Sequence, residues 1–157
     1  TRKLVETNCP KNVALKEENE LSGECVLGNA TQLQQVLLNI SINAIHAIHA
    51  IGTGGGKLTI RGSVVPRSEL AALFPEEKIS EEWSSYVCLS VTDTGCGVEP
   101  GLAERVFDRF YKVDPFAQGL GLGLSLCRLI VEKLGGTIGL DTTYTGGARF
   151  VVTLRDA

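Results

Sequence analysis

The fold of this chain is decided by residues 34–47, which read QQVLLNISINAIHA. They lie in a longer segment without Gly or Pro, whose apolar spacing predicts a helix of about five turns over Ala30–Ala50. Asn29 is the expected N-cap, with Thr31 as the alternative.

A helical wheel of this segment has apolar residues on two sides and a narrow polar stripe between them. One apolar arc contains Leu33, Val36, Leu37, Ile40, Ala44, Ala47 and Ile48, the other contains Leu38, Ile42 and Ile45, and the stripe consists of Gln32, Gln35, Asn39, Asn43 and His46. A helix that is apolar on two sides is largely buried, and buried amides need polar partners. We expect the partner to be a nucleotide with its metal ion; the alternative is a half-exposed helix whose amides meet water.

Size and composition limit the classes of protein to which the chain can belong. Its 157 residues are 43% hydrophobic and 21% charged, which predicts one globular domain over 1–157. A net charge of −3 provides no broad basic surface for nucleic acid, and no apolar run could span a bilayer, so we expect no membrane contact. Five scattered cysteines without a CxxC pair favour a reducing, cytoplasmic location. The start at Thr1, without an initiator methionine, suggests a piece of a longer protein.

The remaining apolar segments are short and predict strands. They are residues 13–16, 25–27, 57–65, 86–92, 137–141 and 148–154. Residues 1–12 are ambiguous because Pro10 limits a helix there, and 66–84 is expected to be a surface connection with one helical turn. The glycines at 52–56 end the long helix, and no helix follows that could hold a phosphate.

A first candidate functional segment is DTGCGV at 93–98, directly after the most strand-like sequence. Strand ends commonly present functional groups, and Gly95 and Gly97 allow backbone to approach a ligand closely. Asp93 alone also fits an Asx-turn that ends a strand, and that alternative stays open.

A second candidate is GLGLGL at 119–124, which leads into an amphipathic helix closed by glycines at 135–136. A glycine loop at a helix N-terminus suits a phosphate, because its N–H groups are free and the helix dipole favours an anion. The alternate spacing of the glycines matches neither a Walker loop nor a dinucleotide fingerprint. A plain loop-to-helix turn is the alternative.

Between the two candidates, 100–111 looks helical, with Leu102, Val106, Phe107 and Phe110 on one side, and 112–118 is irregular around Pro115.

These four pieces, in this order, resemble the ATP-binding catalytic domain of sensor histidine kinases, in the superfamily of DNA gyrase, heat-shock chaperones and mismatch-repair ATPases. The long helix resembles the N box, 93–97 the first glycine box, 107–110 the F box and 119–124 the second glycine box. The resemblance covers about 13–154. It implies a Bergerat-type α/β (α+β) fold, a two-layer sandwich in which helices cover one face of a mixed sheet.

The resemblance also implies roles for individual residues. Asp93 would accept a hydrogen bond from the adenine amino group, Asn43 would bind Mg²⁺ through its side-chain oxygen, and Asn39 would lie beside the phosphates; the two asparagines are the expected catalytic residues. Residues 98–118 would form an ATP lid, anchored by Phe107 and Phe110. The complete predicted nucleotide site consists of Asn39, Asn43, His46, Ala47, Asp93, Gly95, Gly97, Val98, Phe107, Phe110, Lys112, Gly119, Leu120, Gly121, Leu122, Gly123, Leu124 and Ala148.

The residue at Asn39 bears on the reaction. In the gyrase and chaperone branches a glutamate resembling a general base stands at this place, whereas an amide cannot take a proton from water. The chain therefore looks like a protein-histidine kinase, which passes the γ-phosphate of Mg-ATP to a histidine. That histidine would lie on separate upstream dimerisation helices, and a response-regulator receiver domain would be a further partner.

The sequence departs from the family pattern at several places. His46 stands where lysine is frequent, Leu120 and Ala148 stand where threonine is frequent, and Lys112 is the nearest match to a lid arginine. The lid is also short around 114–118. His46 and His49 diverge by about 60° on the helix and have no evident third ligand, so they predict no metal site.

Two alternatives remain at this stage. One is a related protein-serine kinase, of the anti-sigma type or of the mitochondrial dehydrogenase-kinase type. The other is a degenerate module that docks a partner without using ATP, which the departures at His46 and Ala148 leave open.

Overall fold

The structure is a computed structural model, and it describes residues 2–113 and 119–156. In chain order its elements are α1 (Arg2–Asn8), β1 (Val13–Asn19), α2 (Ala30–Ala50), β2 (Gly56–Pro66), α3 (Arg67–Leu73), β3 (Ser85–Asp93), two 3₁₀ turns (Pro100–Leu102 and Arg105–Phe107), α4 (Gly123–Lys133), β4 (Thr137–Leu140) and β5 (Arg149–Arg155). No helix in these two ranges is both long and apolar enough to cross a bilayer.

The five strands form one mixed sheet in the order β1-β2-β3-β5-β4. Strands β1 and β2 are parallel, and the other neighbours are antiparallel. The register pairs Leu58 with Asp93 and Ile60 with Val91, so these four side chains share one face of the sheet. Because apolar residues on that face pack under α1, α2 and α4, it is the core face, and Asp93 lies at its edge.

The long helix has the predicted bounds, and its N-terminus shows why. The side-chain oxygen of Asn29 accepts hydrogen bonds from the backbone N–H groups of Thr31 and Gln32, at 2.9 Å and 3.2 Å. This satisfies two of the donors that a helix N-terminus leaves free. The helix buries Val36 and Ile40 completely against the sheet and α4, so both predictions for Ala30–Ala50, its length and its burial, are confirmed.

Residues 66–84 form a largely exposed connection, as expected, but their helix α3 is longer than the single turn predicted. It lies on the face of the sheet opposite α2 and buries a second apolar cluster there. Its buried members are Leu70, Phe74, Tyr86, Cys88 and Val151. The periodicity of β3 explains this, because Tyr86 and Cys88 alternate with Val87 and Val91 and therefore need cover on the second face. The predicted mixed sheet is confirmed, with three helices on one face and the short α3 on part of the other.

Two further local predictions need correction, and one ambiguous segment receives an assignment. Residues 25–27 form no strand and contribute one isolated bridge, from Val26 to Asp156. The ambiguous N-terminal residues form α1, because Val5 on one face of that helix is fully buried in the core. Residues 100–111 form only the two 3₁₀ turns, since Gly101 weakens a longer helix and Phe110 has a positive φ of 65°.

Candidate functional site

A cavity of about 570 Å³ opens between α2, the turn after β3 and the glycine loop before α4. Fifteen of the predicted site residues line it: Asn39, Asn43, His46, Ala47, Asp93, Gly97, Val98, Lys112, Gly119, Leu120, Gly121, Leu122, Gly123, Leu124 and Ala148. The fold thus brings three separated sequence motifs to one concave place, which is where small-molecule sites are usually found.

The polar stripe of α2 divides into two parts. Asn39, Asn43 and His46 face the cavity, whereas Gln32 and Gln35 are exposed to water. The side-chain nitrogen of Gln35 donates a hydrogen bond to the side-chain oxygen of Asn39 at 3.1 Å, which orients that amide. The first turns of the stripe therefore face water, whereas its second half lines the cavity.

Asp93 is the most constrained polar group in the cavity. It is 2% exposed, and its Oδ1 accepts hydrogen bonds from the backbone N–H groups of Gly95 at 2.7 Å and of Ala148 at 3.2 Å. Burial raises the pKa of this carboxyl group, and the two backbone hydrogen bonds oppose the shift. The contact with Gly95 is an Asx-turn, so the Asx-turn interpretation and the ligand interpretation are compatible. With Oδ1 held by the backbone, Oδ2 is the atom that can accept from a ligand.

The two glycines after Asp93 have different tasks. Gly97 lines the cavity with a φ of 72°, and a Cβ there would come within 3.0 Å of the Gly147 carbonyl oxygen. Gly95 lies outside the lining, behind the turn, where a Cβ would meet the Ala47 carbonyl carbon at 2.6 Å. The Cys96 N–H also donates to the Ala47 carbonyl oxygen, at 3.2 Å. Gly95 therefore allows the turn to pack against α2.

The two phenylalanines of the predicted F box also lie outside the cavity lining. Phe107 is 4% exposed and packs edge-on against Phe150, with 6.0 Å between the ring centroids, while the Arg128 guanidinium lies 4.2 Å above its ring. It therefore fixes the second 3₁₀ turn, in the described part of the predicted lid, to the core. Phe110, by contrast, is 69% exposed, so its expected role as an anchor is wrong. Its contribution is a backbone one, because its N–H donates to the Gly121 carbonyl oxygen at 2.9 Å.

The glycine loop forms the third wall of the cavity. Gly119 and Gly121 have positive φ values of 94° and 71°, and a Cβ on Gly121 would meet the Tyr111 carbonyl oxygen at 2.8 Å. The loop therefore passes close to the lid base, where the Lys112 ammonium donates to the Gly119 carbonyl oxygen at 2.9 Å. Helix α4 begins at Gly123 without a side-chain cap, so its first N–H groups are available to an anion. Residues 114–118, the short part of the predicted lid, lie outside the described residues.

Sequence reasoning missed eight residues that line the cavity. They are Ile42, Ala44, Ala50, Cys96, Val106, Tyr111, Val113 and Phe150. Seven of these have apolar or aromatic side chains that any core position could have, so their sequence carries no signal for a ligand. Cys96 lies inside the DTGCGV motif and could have been included on that ground, because both flanking glycines were already singled out.

No group of three or more His, Cys, Asp or Glu residues within 2–113 and 119–156 could hold an ion. His46 and His49 are both exposed on α2.

Comparisons with known proteins agree with this geometry. The family described as histidine kinase-, DNA gyrase B- and HSP90-like ATPase matches residues 28–157. Sensor kinase CckA of Brucella abortus (strain 2308) is 29% identical over 144 residues, which is 92% of this chain and 14% of that protein. Sensor protein SrrB of Staphylococcus aureus (strain NCTC 8325 / PS 47) is 41% identical over 78 residues, 47% of this chain and 13% of that protein. The chain thus spans about a seventh of the length of each of these two relatives.

Solved structures show the same fold. The catalytic domain of histidine kinase ThkA, in a nucleotide-free form, has a TM-score of 0.70 at 26% identity, with 99% of this chain and 91% of that chain covered. The mycobacterial sensor histidine kinase MprB has a TM-score of 0.70 at 20% identity, with 99% and 95% covered.

The family match spans most of the chain and includes all the cavity walls. The chain therefore belongs to the histidine kinase-, DNA gyrase B- and HSP90-like ATPases, as an ATP-binding catalytic domain of the sensor histidine kinase type.

Proposed function

We propose that the cavity binds Mg-ATP and presents its γ-phosphate to a histidine on a separate dimerisation domain of the parent protein. The observation that carries this proposal is the carboxylate of Asp93, which is buried at the cavity and held through one oxygen only. Its Oδ2 is an acceptor that matches the amino group of adenine, whereas the carbonyl oxygen of guanine or hypoxanthine would face it unfavourably.

The phosphates are assigned to the opposite wall. The backbone N–H groups at the start of α4 and the positive end of its dipole suit an anion. Lys112 lies at the same wall, through its contact with Gly119, and His46 lines the cavity from α2. Adenine at Asp93 and phosphates at the glycine loop place the nucleotide across the polar stripe, beside Asn39 and Asn43.

The residues present fit Mg²⁺ only together with a nucleotide. Mg²⁺ prefers oxygen ligands and usually binds through one or two protein groups plus phosphates and waters, so the single amide oxygen of Asn43 suits it. When bound, the ion would neutralise phosphate charge during transfer. Because α2 contains no Asp or Glu, that helix supplies no carboxylate that could act as general base toward water, and this supports transfer to a protein side chain over hydrolysis.

The remaining parts of the proposal concern the parent protein. Its phosphoacceptor histidine and dimerisation helices, its receiver-domain partner and its cytoplasmic location are proposed from the family assignment. Mixing this chain with the phosphoacceptor helices of the parent and radiolabelled ATP should yield a phosphoprotein that is labile in acid and stable in base. An acid-stable phosphoserine product would overturn the histidine assignment in favour of a serine kinase.

The Asn43→Ala variant tests the metal assignment. Wild-type affinity for ATP should rise when Mg²⁺ is added. With Mg²⁺ present, the variant should bind ATP about tenfold more weakly than wild type does, a difference of about 1.4 kcal/mol. Without Mg²⁺, the two affinities should be nearly equal. Calorimetric titration with and without Mg²⁺ measures both values. Gln32→Ala is the matched control, since Gln32 is an exposed amide on the same helix outside the cavity. Equal losses with and without Mg²⁺ would contradict a metal role for Asn43.

Cysteine alkylation maps nucleotide occupancy independently of any substitution. Cys25 and Cys96 are the exposed thiols, and Cys96 alone of the five cysteines lines the cavity. Burial raises the pKa of Cys88 and of Cys127 to about 11, so both should react slowly. We expect ADP to slow iodoacetamide labelling of Cys96 severalfold and to leave Cys25 unaffected, as followed by peptide mass spectrometry. Unchanged labelling of Cys96 at saturating ADP would place the nucleotide elsewhere.

A further inference from the structure

A polar cluster lies on the outer face of the sheet, opposite α2, directly behind Asp93. It consists of Thr92, Asp141, Tyr144 and Arg149, none of which lines the nucleotide cavity. Arg149 is its centre: its Nε donates to the Thr92 hydroxyl at 3.0 Å, and its guanidinium also pairs with Asp141 at 3.4 Å. The same guanidinium lies 4.4 Å above the ring of Tyr144, a cation–π arrangement.

The cluster is connected to Asp93 by one direct hydrogen bond. The Tyr144 hydroxyl donates to the backbone carbonyl oxygen of Asp93 at 3.2 Å. Since Arg149 packs on the ring of Tyr144, the orientation of the hydroxyl depends on the whole cluster. Asp141 is itself fixed, because its Oδ1 accepts from the backbone N–H of Thr143 at 2.9 Å and from the Thr143 hydroxyl.

The turn that contains Tyr144 also supplies a hydrogen-bond donor to the Asp93 carboxylate. The N–H of Ala148 donates to Oδ1 of Asp93, and the Ala148 carbonyl oxygen accepts from the Asp93 N–H at 2.9 Å. Gly146 lies against the Tyr144 hydroxyl, where a Cβ would come within 2.7 Å. The backbone carbonyl and the carboxylate of Asp93 are therefore both held by residues 144–148.

We infer that Tyr144 and Arg149 are positioning residues for base recognition: they hold Asp93 so that its free carboxylate oxygen points into the cavity. This inference rests on the proposed role of Asp93 toward adenine. The base contact is directional, so a small rotation of the carboxylate weakens recognition of the amino group more than it weakens phosphate binding. A residue that merely stabilised the fold would weaken binding of all nucleotides equally.

The test is the affinity ratio between ADP and IDP, whose bases differ at the position that faces Asp93. In Tyr144→Phe we expect ADP affinity to fall about three- to tenfold, the range for one lost hydrogen bond, with little change for IDP. Tyr86→Phe is the matched control, because the Tyr86 hydroxyl also donates to a backbone carbonyl, that of Ser80 at 2.9 Å, in the second apolar cluster away from Asp93. It should leave the ratio unchanged.

Arg149→Lys provides a second variant that retains the charge but loses the planar contact with Tyr144. We expect it to lower the ADP-to-IDP ratio as well, and the double variant Tyr144→Phe/Arg149→Lys should show less than the sum of the two effects. Arg155→Lys is its control, since Arg155 lies on the same strand over the Trp83 ring, 5.9 Å from the centroid. If Tyr144→Phe fails to fold, Arg149→Lys decides the question.

The outcomes separate this inference from the proposed site. An unchanged ratio in both variants, with wild type preferring ADP and Asp93→Asn abolishing that preference, would overturn the positioning role alone. Wild-type protein that binds ADP and IDP equally would overturn the base assignment of Asp93 and the inference together.

Discussion

The Asp93→Asn variant should lose about 100-fold of its affinity for ATP, a loss of about 3 kcal/mol, while it remains folded. The side chain of asparagine can still accept from Gly95 and Ala148 through Oδ1. Its amide nitrogen then takes the place of Oδ2, so a donor faces the adenine amino group, which is also a donor. The same change should improve binding of ITP, whose base presents a carbonyl oxygen there.

Calorimetric titration with ATP and ITP measures this exchange of preference. Asp156→Asn is the control, because the Asp156 carboxylate also accepts a backbone N–H, that of Cys25 at 3.2 Å, but lies outside the cavity. Retained preference for ATP in Asp93→Asn would show that this carboxylate does not contact the base.

The ligand-free stability of the same variant carries a separate pH signature. Burial raises the pKa of Asp93 in the folded chain, so the folded state binds the proton more tightly than the unfolded state does. The free energy of unfolding should therefore rise as pH falls through that raised pKa, and the ionised carboxylate should cost stability at pH 7. Asp93→Asn removes this contribution. Urea unfolding from pH 7 down to about pH 4 should show a shallower increase for the variant than for wild type; parallel curves would contradict it.

The Gly147→Ala variant should be destabilised by about 3 kcal/mol and should not bind nucleotide. Gly147 has a φ of 154°, which an L-residue rarely adopts, and a Cβ there would overlap the backbone carbonyl oxygen of Asp93. The Asp93 Oδ1 would also lie 2.9 Å from the added atom. Relief of this overlap requires the turn to separate from β3, which removes the Ala148 hydrogen bond from the carboxylate.

Chemical unfolding and ADP titration measure the two effects. Gly101→Ala is the matched control, because a Cβ at that position meets no heavy atom within 4 Å and its φ is not in the left-handed region. It should change stability by no more than about 1 kcal/mol, the usual range for Gly→Ala at a position whose backbone conformation alanine can adopt. Equal stability of the two variants would show that the turn adapts, and the close contact at Gly147 would then have no energetic weight.

Local sequence predicted the elements whose patterns are long and self-contained. The bounds of α2 follow from 21 residues without Gly or Pro and from the capping side chain of Asn29, which accepts a hydrogen bond from the N–H of Thr31. The place of Asp93 at the end of β3 and the glycine loop before α4 follow from motifs of six residues each. These features depend on contacts between residues close in sequence, which one segment alone encodes.

Features that depend on contacts between distant segments could not be read from one segment. Residues 66–84 appeared to be only a surface connection, because most of the segment is polar. Their few apolar residues in fact cover the second face of β3, and the need for that cover is visible only once the sheet is assembled. Phe107 and Phe110 appeared equivalent in sequence, yet one is buried against Phe150 and the other is exposed. Gly95 appeared to face a ligand and instead allows a turn to pack on α2.

Four sequence motifs were thus enough to predict most residues of the candidate site and the family to which the chain belongs. The orientation of those residues could not be predicted from them, because it depends on packing between segments far apart in the chain. Asp93 shows both levels. Its motif predicts a ligand-binding carboxylate, but residues more than 50 positions later fix its orientation: Ala148 donates to Oδ1 and leaves Oδ2 free, and Tyr144 donates to the backbone carbonyl oxygen. Hydrogen bonds are directional, and tertiary packing sets that direction.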